Sequence, residues 1–585
     1  MKRNYIGLAT SFRDPSITIV NSKGEVVFAE ASERYVQYKR AAQMSPDQFG
    51  YYLYHLLKTH TEAGAELVVA HSWSDRAAES IEKNLKHATE ASAKLSNENS
   101  EDALVLKKYY DDQKYMSYHA IESIKNASKN LEAMVSMLDG FNLVSVRRYD
   151  HHLTHAATAC YSSPFKEAAC AVLDGYGETR AYNCYHYQDG KILQLPGLVD
   201  HEFFKSSLGM FYELVCDACG FDPAAGEEWK VMGLAAYGQF DQEIYDFFKS
   251  GLTVNGLNLE QCPDDSFAAY LVRFSKMKRR KEEPAIKAAN LAYNGQLVFT
   301  EILFKYLNNL YNLGLSENLI MGGGCCLNSS ANGQITAKTG FKNVHIPSAP
   351  GDDGNSVGAA LLAYYEDHPE KKREPKVQSP YLGSELEFYK VARLKKFSGF
   401  SKISHYPGEV HKETAKRLAE GKIVGWVQGK AEFGPRALGN RSILADARSP
   451  RIKDIINERV KFREEFRPLA PSIIHEFGAE FFENYQESPY MERTLKFREG
   501  VKHKVPGVVH EDGTGRLQTV KKEWNEKYYD LIYAFYELTD IPLILNTSFN
   551  VMGKPIIHSV EDAVAVFCTS GLDVLVIGDL LIEKD

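Results

Sequence analysis

Gly322-Gly323-Gly324-Cys325-Cys326-Leu327-Asn328 follows directly on the apolar run Leu319-Ile320-Met321. Glycines placed after a strand let backbone N–H groups approach a phosphate or a nucleotide sugar. One such turn is usually only a turn. Two more stand in the same half of the chain: Leu173-Asp174-Gly175-Tyr176-Gly177-Glu178 after an apolar run at 168–173, and Gly351-Asp352-Asp353-Gly354-Asn355 after one at 344–346. Short strands that each run into a glycine turn, with long helical connections between them, indicate an α/β class. No GxxxxGK[ST] segment occurs, which excludes a Walker-type NTPase.

Outward from these turns, the first thirty residues read as a hairpin, with strands at 17–20 and 25–29 joined by Asn21-Ser22-Lys23-Gly24. Between 77 and 130 the composition shifts to Lys, Glu, Asn, Ser and Ala, the make-up of solvated helices forming an insertion. At His368-Pro-Glu-Lys-Lys-Arg-Glu-Pro-Lys376 the chain buries nothing and has the character of a linker. A second unit follows, with a helix at 410–420 and a strand at 423–427. The expected division is therefore 1–379 and 380–585, with the last residues packing back on the first unit. No internal repeat is visible in the sequence.

The chain has 585 residues, of which 44% are apolar, 25% charged and 12% aromatic. Wholesale disorder, collagen repeat and coiled coil do not have that balance, and the length suits several domain-sized units. With 69 basic and 77 acidic side chains the net charge is −8, against a nucleic-acid partner. Met1-Lys2-Arg3 opens like a signal peptide, but the apolar stretch behind it stops at Arg13-Asp14. No window reaches the ~18 apolar residues of a membrane span. Nine cysteines, an odd and sparse number, argue against a disulfide framework. The lone CxxC, Cys216 and Cys219, reads as two semi-buried thiols. The expected location is the cytoplasm.

Two constellations carry chemistry. On a helix, His151 and His155 stand at i and i+4, close enough to share a metal. A carboxylate at a glycine turn, Asp174 or Asp353, would complete the set, and such a set suits Fe(II), Mn(II) or Zn(II) without choosing among them. The second constellation is cationic. From Lys430 to Arg467 there are ten Lys or Arg against six Asp or Glu, in a chain that is acidic overall. Arg436, Arg441, Lys461, Arg463 and Arg467 suit a multi-anionic small ligand, because arginine matches phosphate oxygens two at a time.

Taken in order, eight segments resemble the ATP-dependent O-carbamoyltransferases, the family acting on tobramycin, the cephamycin nucleus and nodulation factors. They are His151-His-Leu-Thr-His155-Ala156, Ser207-Leu-Gly-Met-Phe-Tyr212, Gly226-Glu-Glu-Trp-Lys-Val-Met-Gly-Leu-Ala-Ala-Tyr-Gly238, Gly322-Gly-Gly-Cys-Cys-Leu-Asn328, Phe433-Gly-Pro-Arg-Ala-Leu-Gly-Asn-Arg-Ser-Ile-Leu-Ala445, Phe466-Arg-Pro-Leu-Ala-Pro471, Asp512-Gly-Thr-Gly-Arg516 and Leu545-Asn-Thr-Ser-Phe-Asn550. The glycine turns are similar to the phosphate and adenosine loops of the actin-like ATPase fold.

What the resemblance implies is an actin-like, TsaD-like first unit holding a metal and the transfer reaction. The second unit would be YrdC-like, turning carbamoyl phosphate and ATP into carbamoyl adenylate. The metal, Fe(II) ahead of Mn(II) or Zn(II), would sit on His151, His155 and Asp353, with Asp174 joining them or holding the intermediate. Gly175, Gly323, Gly324, Asn328 and Glu228 would also bind that intermediate. Asp14, Arg13, His152 and Lys230 would serve catalysis. Arg436, Asn440, Arg441, Lys461, Arg463, Arg467, Arg516, Asn546 and Ser548 would take carbamoyl phosphate and Mg-bound ATP. The acceptor would be a small molecule bearing a hydroxyl, and a homodimer is among the expected assemblies.

The pair Arg13-Asp14 departs from the family's His-Asp, and arginine cannot act as a base at neutral pH. A sensing homologue that binds nucleotide without turnover is the alternative from another class. A hydrogenase-maturation carbamoyltransferase would need paired CxxC motifs, and the acidic balance disfavours a tRNA-modifying enzyme.

Overall fold

In the strand Arg3–Ala9 every residue but the first is buried. A strand covered on both faces needs partners on both edges, and this one has them. It pairs antiparallel with Ser16–Val20, which pairs antiparallel with Val26–Ala31, and on its other edge parallel with Glu66–His71, which pairs parallel with Asn142–Arg148. The computed structural model describes residues 2–48, 50–201 and 205–584, the side chains of residues 50, 51 and 265 aside.

The same sheet is built a second time. Glu167–Leu173 pairs antiparallel with Tyr182–Gln188, itself antiparallel to Lys191–Gln194, and parallel with Asn318–Gly322, itself parallel to Asn343–His345. Order and sense match strand for strand. The sequence shows no repeat because what recurs is a pattern of burial and turning, which many residue choices satisfy. This doubled sheet is the actin-like fold. Helix Asn355–Asp367 packs against the first sheet and against helix His151–Ser162, and it does so at backbone distance. A Cβ on Gly7 would lie 1.8 Å from the Ser356 carbonyl oxygen, and one on Gly358 would lie 2.0 Å from that of Thr154.

The 77–130 stretch is two long helices, Asp75–Leu95 and Glu101–Asn126, each begun by a serine cap, Ser74 and Ser100. Their shared face is poor in large apolar residues and is stitched by polar bonds. Asn84 donates to Ser117 Oγ at 2.8 Å and Ser92 to Asp111 Oδ1 at 2.6 Å. At the root lies an apolar cluster, Trp73, Ala77, Ile81, Ala120, Ile121 and Ile124.

The chain divides into Met1–Ser32, Arg40–Asn328 and Ile335–Gln378 as one unit, and Glu33–Lys39, Ser329–Gln334 and Ser379–Asp585 as the other. Two short excursions, 33–39 and 329–334, thus lie in the second unit although they precede the linker. Arg34 donates to the Gly434 carbonyl at 2.7 Å and Asn332 to that of Glu492 at 2.9 Å. A linker read from composition cannot reveal such excursions.

The second unit is a nine-stranded mixed sheet flanked by helices. Its order is Lys402–His405, Leu580–Glu583, Val574–Ile577, Val424–Val427, Arg441–Ala445, Leu543–Ser548, Ala470–Ile474, Thr514–Val520 and Arg493–Lys496. The closing residues form part of the sheet of the second unit. Leu580–Glu583 is antiparallel to both of its neighbours, and its Leu581 and Ile582 enter the core of the second unit. No helix among the described residues is long and apolar enough to cross a membrane.

Candidate active sites

Helix His151–Ser162 starts at Asp150, whose side chain accepts from the Leu153 N–H at 2.9 Å. That cap fixes the first turn, so His151 and His155 point the same way into the unit. His151 Nε2 lies 3.3 Å from Asp174 Oδ2 and 3.6 Å from Asp352 Oδ1, and His155 Nε2 lies 3.2 and 3.4 Å from the same atoms. All four candidate ligand atoms fall within 4.8 Å of one another. The second carboxylate is Asp352, not the expected Asp353. In the tight turn Asp352–Gly354 successive side chains point in different directions, so only one of two adjacent aspartates can face the histidines. Asp353 Oδ1 instead accepts from the Gly354 N–H at 3.1 Å.

Each ligand is held from behind. His155 Nδ1 donates to the Pro350 carbonyl at 3.1 Å, which leaves Nε2 to face the aspartates. Asp174 Oδ1 accepts from the Gly324 N–H at 2.9 Å, and Asp352 Oδ2 from Ser11 Oγ at 3.0 Å. The Gly324 bond depends on its neighbour. Gly323 has φ 91°, and a Cβ there would meet the Leu173 carbonyl oxygen at 2.2 Å. His151 is held differently: its ring stacks on Trp73 with centroids 3.9 Å apart and planes at 18°.

Burial works against a charge on His151, but hydrogen bonding to Asp174 and Asp352 outweighs it and pushes the imidazole up to about 10. Burial likewise works against both carboxylates, yet the two histidines hold Asp174 and Asp352 well below the usual range. Two imidazoliums facing two carboxylates are charge-balanced, and one divalent cation can replace their protons on the same four atoms. The donor set therefore fits a divalent metal.

Around this cluster the other expected residues take several roles. Arg13 pairs with Glu213 Oε1 at 2.7 Å, lies 3.9 Å from Glu228 Oε1 and donates to the Pro223 carbonyl. Asp14 is gripped by Arg40, whose Nε lies 3.0 Å from Oδ2 and whose Nη2 makes a second short contact. Arg40 Nη1 also lies 3.9 Å from Glu228 Oε2. Burial raises the Glu228 carboxyl although both arginines oppose it. Lys230 is buried, paired with Glu227 at 2.5 Å and set over the Phe221 ring. His152 is buried and held neutral by that burial, against Gly177. Asn328 exchanges two amide bonds with Gln296, at 3.0 and 3.1 Å, and Gly175 lies beneath helix Leu208–Ala218, where Ser207 donates to its carbonyl at 2.7 Å. Cys216 and Cys219 are both buried, and burial pushes the Cys219 thiol up to about 12. Sequence reasoning missed Ser11, Arg40, Glu213 and Asp352. Only Asp352 carried a signal, inside the turn already singled out.

In the second unit the cations gather. Helix Ile452–Ile455 widens into a π-helical turn at Ile456–Lys461, which ends with Phe462 at φ 52°. That brings Lys461 Nζ onto the Ser548 carbonyl and to 2.6 Å from Asn550 Oδ1. Burial, then Arg463 and Arg467, drive Lys461 well below its ordinary value. Burial, then Arg467 and Arg516, bring Arg463 down to about 9, and burial brings Arg516 to about 10. Arg436 falls as well, through burial and then Arg516. Parts of Arg436, Arg463 and Arg516 stay open to solvent, yet Arg463 Nη2 and Arg516 Nε are buried and make no hydrogen bond. Glu464, paired with Arg467, is the carboxylate set into this group.

Three other expected members make hydrogen bonds within the fold. Arg441 is 1% exposed and donates to the carbonyls of Gln428, Asn440, Ser384 and Gly429. Asn440 bonds Lys430 and Asn525, and Asn546 bonds Ala437, Ser472 and Gln518. A half-buried histidine that the sequence did not flag, His510, stands beside Arg516 and is pulled down to about 4 by burial.

A set of candidate metal ligands on an actin-like unit thus stands in one chain with a cationic cluster on a second unit. Residues 4–361 match the family Carbamoyltransferase N-terminus and residues 415–584 the family Carbamoyltransferase C-terminus. The chain belongs to the carbamoyltransferase family. Uncharacterized protein MJ1058 of Methanocaldococcus jannaschii is 34% identical over 453 residues, which cover 75% of this chain and 74% of that protein. Nodulation protein NolO of Bradyrhizobium diazoefficiens is 35% identical over 445 residues, 74% of this chain and 79% of that protein. Among solved structures, full-length HypF in its phosphate- and nucleotide-bound form aligns with TM-score 0.35 and 11% identity over 62% of this chain and 55% of that one, too low a likeness to bear on function.

Proposed function

We propose that the chain is an ATP-dependent O-carbamoyltransferase. Carbamoyl phosphate and ATP meet at the cationic cluster of the second unit, where water takes carbamoyl phosphate to carbamate and inorganic phosphate, and a carbamate oxygen then attacks the α-phosphorus of ATP to give carbamoyl adenylate and release pyrophosphate. At the first unit the carbamoyl group passes to a hydroxyl of a small-molecule acceptor, and AMP leaves. The observation that carries this reading is the charge imbalance of the second unit. Lys461, Arg463, Arg516 and Arg436 crowd together with their charged forms disfavoured, beside Arg467, and two polyanionic substrates would supply the missing negative charge.

On the first unit, His151, His155, Asp174 and Asp352 would hold a divalent metal, Fe(II) ahead of Mn(II) or Zn(II), which supplies a Lewis acid for the carbamoyl or phosphoryl oxygen. Gly323 and Gly324 keep the Asp174 turn tight enough for that set. Arg13 and Asp14 are both committed to ion pairs, so neither is the base for the acceptor. Glu228, whose carboxyl burial raises, is the group beside them best matched to taking the hydroxyl proton. The acceptor side is the face where Phe12 meets Tyr115 and His119 of the helical insertion, with ring centroids 5.9 and 6.2 Å apart.

Purified protein is expected to consume ATP only when carbamoyl phosphate is present. Consumption that ignores carbamoyl phosphate contradicts the reading. The ion-paired Arg13 favours one alternative, a homologue that senses nucleotide; it would bind ATP and turn over nothing under either condition.

A further inference from the structure

The two histidines of the metal-ligand set are oriented by different means. His155 is fixed by a hydrogen bond from Nδ1 to the Pro350 carbonyl. His151 Nδ1 is buried and makes no hydrogen bond. What fixes its ring is Trp73, stacked 3.9 Å away at 18°. Trp73 is itself 1% exposed, and its indole N–H also lacks a hydrogen-bond partner, so the contact is purely one of faces. Trp73 also stacks on Tyr176, centroids 6.0 Å apart, two residues beyond Asp174. Trp73 is also the largest member of the apolar cluster that roots the insertion, with Ala77 and Ile81 from one helix and Ala120, Ile121 and Ile124 from the other.

We propose that Trp73 is the positioning residue of His151, doing by ring stacking what a hydrogen bond does for His155, and that through it the root of the helical insertion is rigidly joined to the metal centre. An imidazole without an Nδ1 bond can rotate about its χ2 axis, which swings Nε2 away from Asp174 and Asp352. A flat ring at van der Waals distance on one face blocks that rotation. Partners that orient a ligating histidine typically matter about 10–100-fold in metal affinity. The root of the insertion thereby touches a metal-ligand side chain through Trp73, beside the backbone link that Glu178 makes by accepting from the N–H groups of both Ser74 and His151. The inference rests on the metal reading above, and its test separates the two.

The test titrates the full-length metal-free chain with Co(II), following its visible d–d bands and tryptophan emission, for wild type, Trp73→Phe and Trp73→Leu. Wild type should bind one Co(II) and lose part of its emission. The phenylalanine variant keeps a flat face and should bind within about threefold of wild type, without that emission change. The leucine variant fills the space without a face. It should bind about 10–100-fold more weakly and with altered d–d bands, as His151 leaves the coordination set. Unchanged Co(II) affinity and bands in a folded Trp73→Leu chain overturn the positioning role. If that variant does not fold, wild-type Co(II) binding with the same emission change retained in Trp73→Phe overturns it. Wild-type protein that binds no Co(II) would sink the metal reading itself.

Discussion

The metal-ligand set of the first unit and the cationic cluster of the second are both buried, yet they solve the problem of buried charge in opposite ways. In the first, two imidazoles face two carboxylates, and each side shifts the other toward its charged form. In the second, positive side chains gather, and burial, with repulsion between neighbouring cations, pushes Lys461, Arg463 and Arg436 toward neutrality. In the proposed reading the first site exchanges protons for a cation, and the second takes up a polyanion. Gathering several cations around the one carboxylate of Glu464 costs stability, so such a cluster persists where binding requires it. The contrast predicts that mutations of similar size have effects of opposite sign in the two places.

The largest expected effect lies in the balanced site. Asp352→Ala leaves two imidazoles short of a carboxylate and should destabilise the metal-free chain by about 3–5 kcal/mol, read by urea unfolding. The same variant, and His155→Ala, should lose bound metal on elemental analysis; full occupancy in either would break the ligand assignment. Next comes Arg516→Ala. Removing one cation from the phosphate side should cost about 2–4 kcal/mol of transition-state stabilisation, or roughly two to three decades in carbamoyl-phosphate-dependent pyrophosphate release.

Smaller, but opposite in sign to Asp352→Ala, is the stability effect of Arg516→Met. Replacing a repelled cation by a flexible apolar chain should raise ligand-free stability by about 1 kcal/mol while activity falls. A fall in thermal midpoint comparable to that of Asp352→Ala would erase the distinction between the sites. Pyrophosphate added to wild type should raise the midpoint, and should do less for Arg516→Met.

The smallest effect concerns pH. Burial lowers His510 from 6.5 to about 4. Between those values the unfolded chain binds a proton that the folded chain does not, so stability should fall as pH drops from 6.5 toward 4. His510→Gln should flatten that part of the acid limb. His71, lowered to about 3 by burial, remains in the variant and should keep part of the slope.

Much of this was legible from residue spacing. His151, His155 and Asp174 could be read because a helix puts i and i+4 together and a glycine turn ends a strand. Asp352 could not be separated from Asp353, since adjacent residues in a tight turn differ only in direction. Arginines in the 430–467 stretch signalled a cationic region but not where each guanidinium points, and Arg441 faces four carbonyls that no local pattern announces. Recurrence of the sheet was invisible because Arg3–Ala9 and Glu167–Leu173 share burial, not residues. Excursions such as 33–39 depend on contacts hundreds of residues away, which composition does not encode.

The claim that two chemically distinct sites divide the reaction is tested most directly by carbamoyl-phosphate-dependent pyrophosphate release, measured without acceptor, in His155→Ala and Arg516→Ala side by side. The division predicts that folded His155→Ala releases pyrophosphate at close to the wild-type rate, while Arg516→Ala loses roughly two to three decades. Loss of pyrophosphate release in folded His155→Ala, to the same extent as in Arg516→Ala, would contradict it.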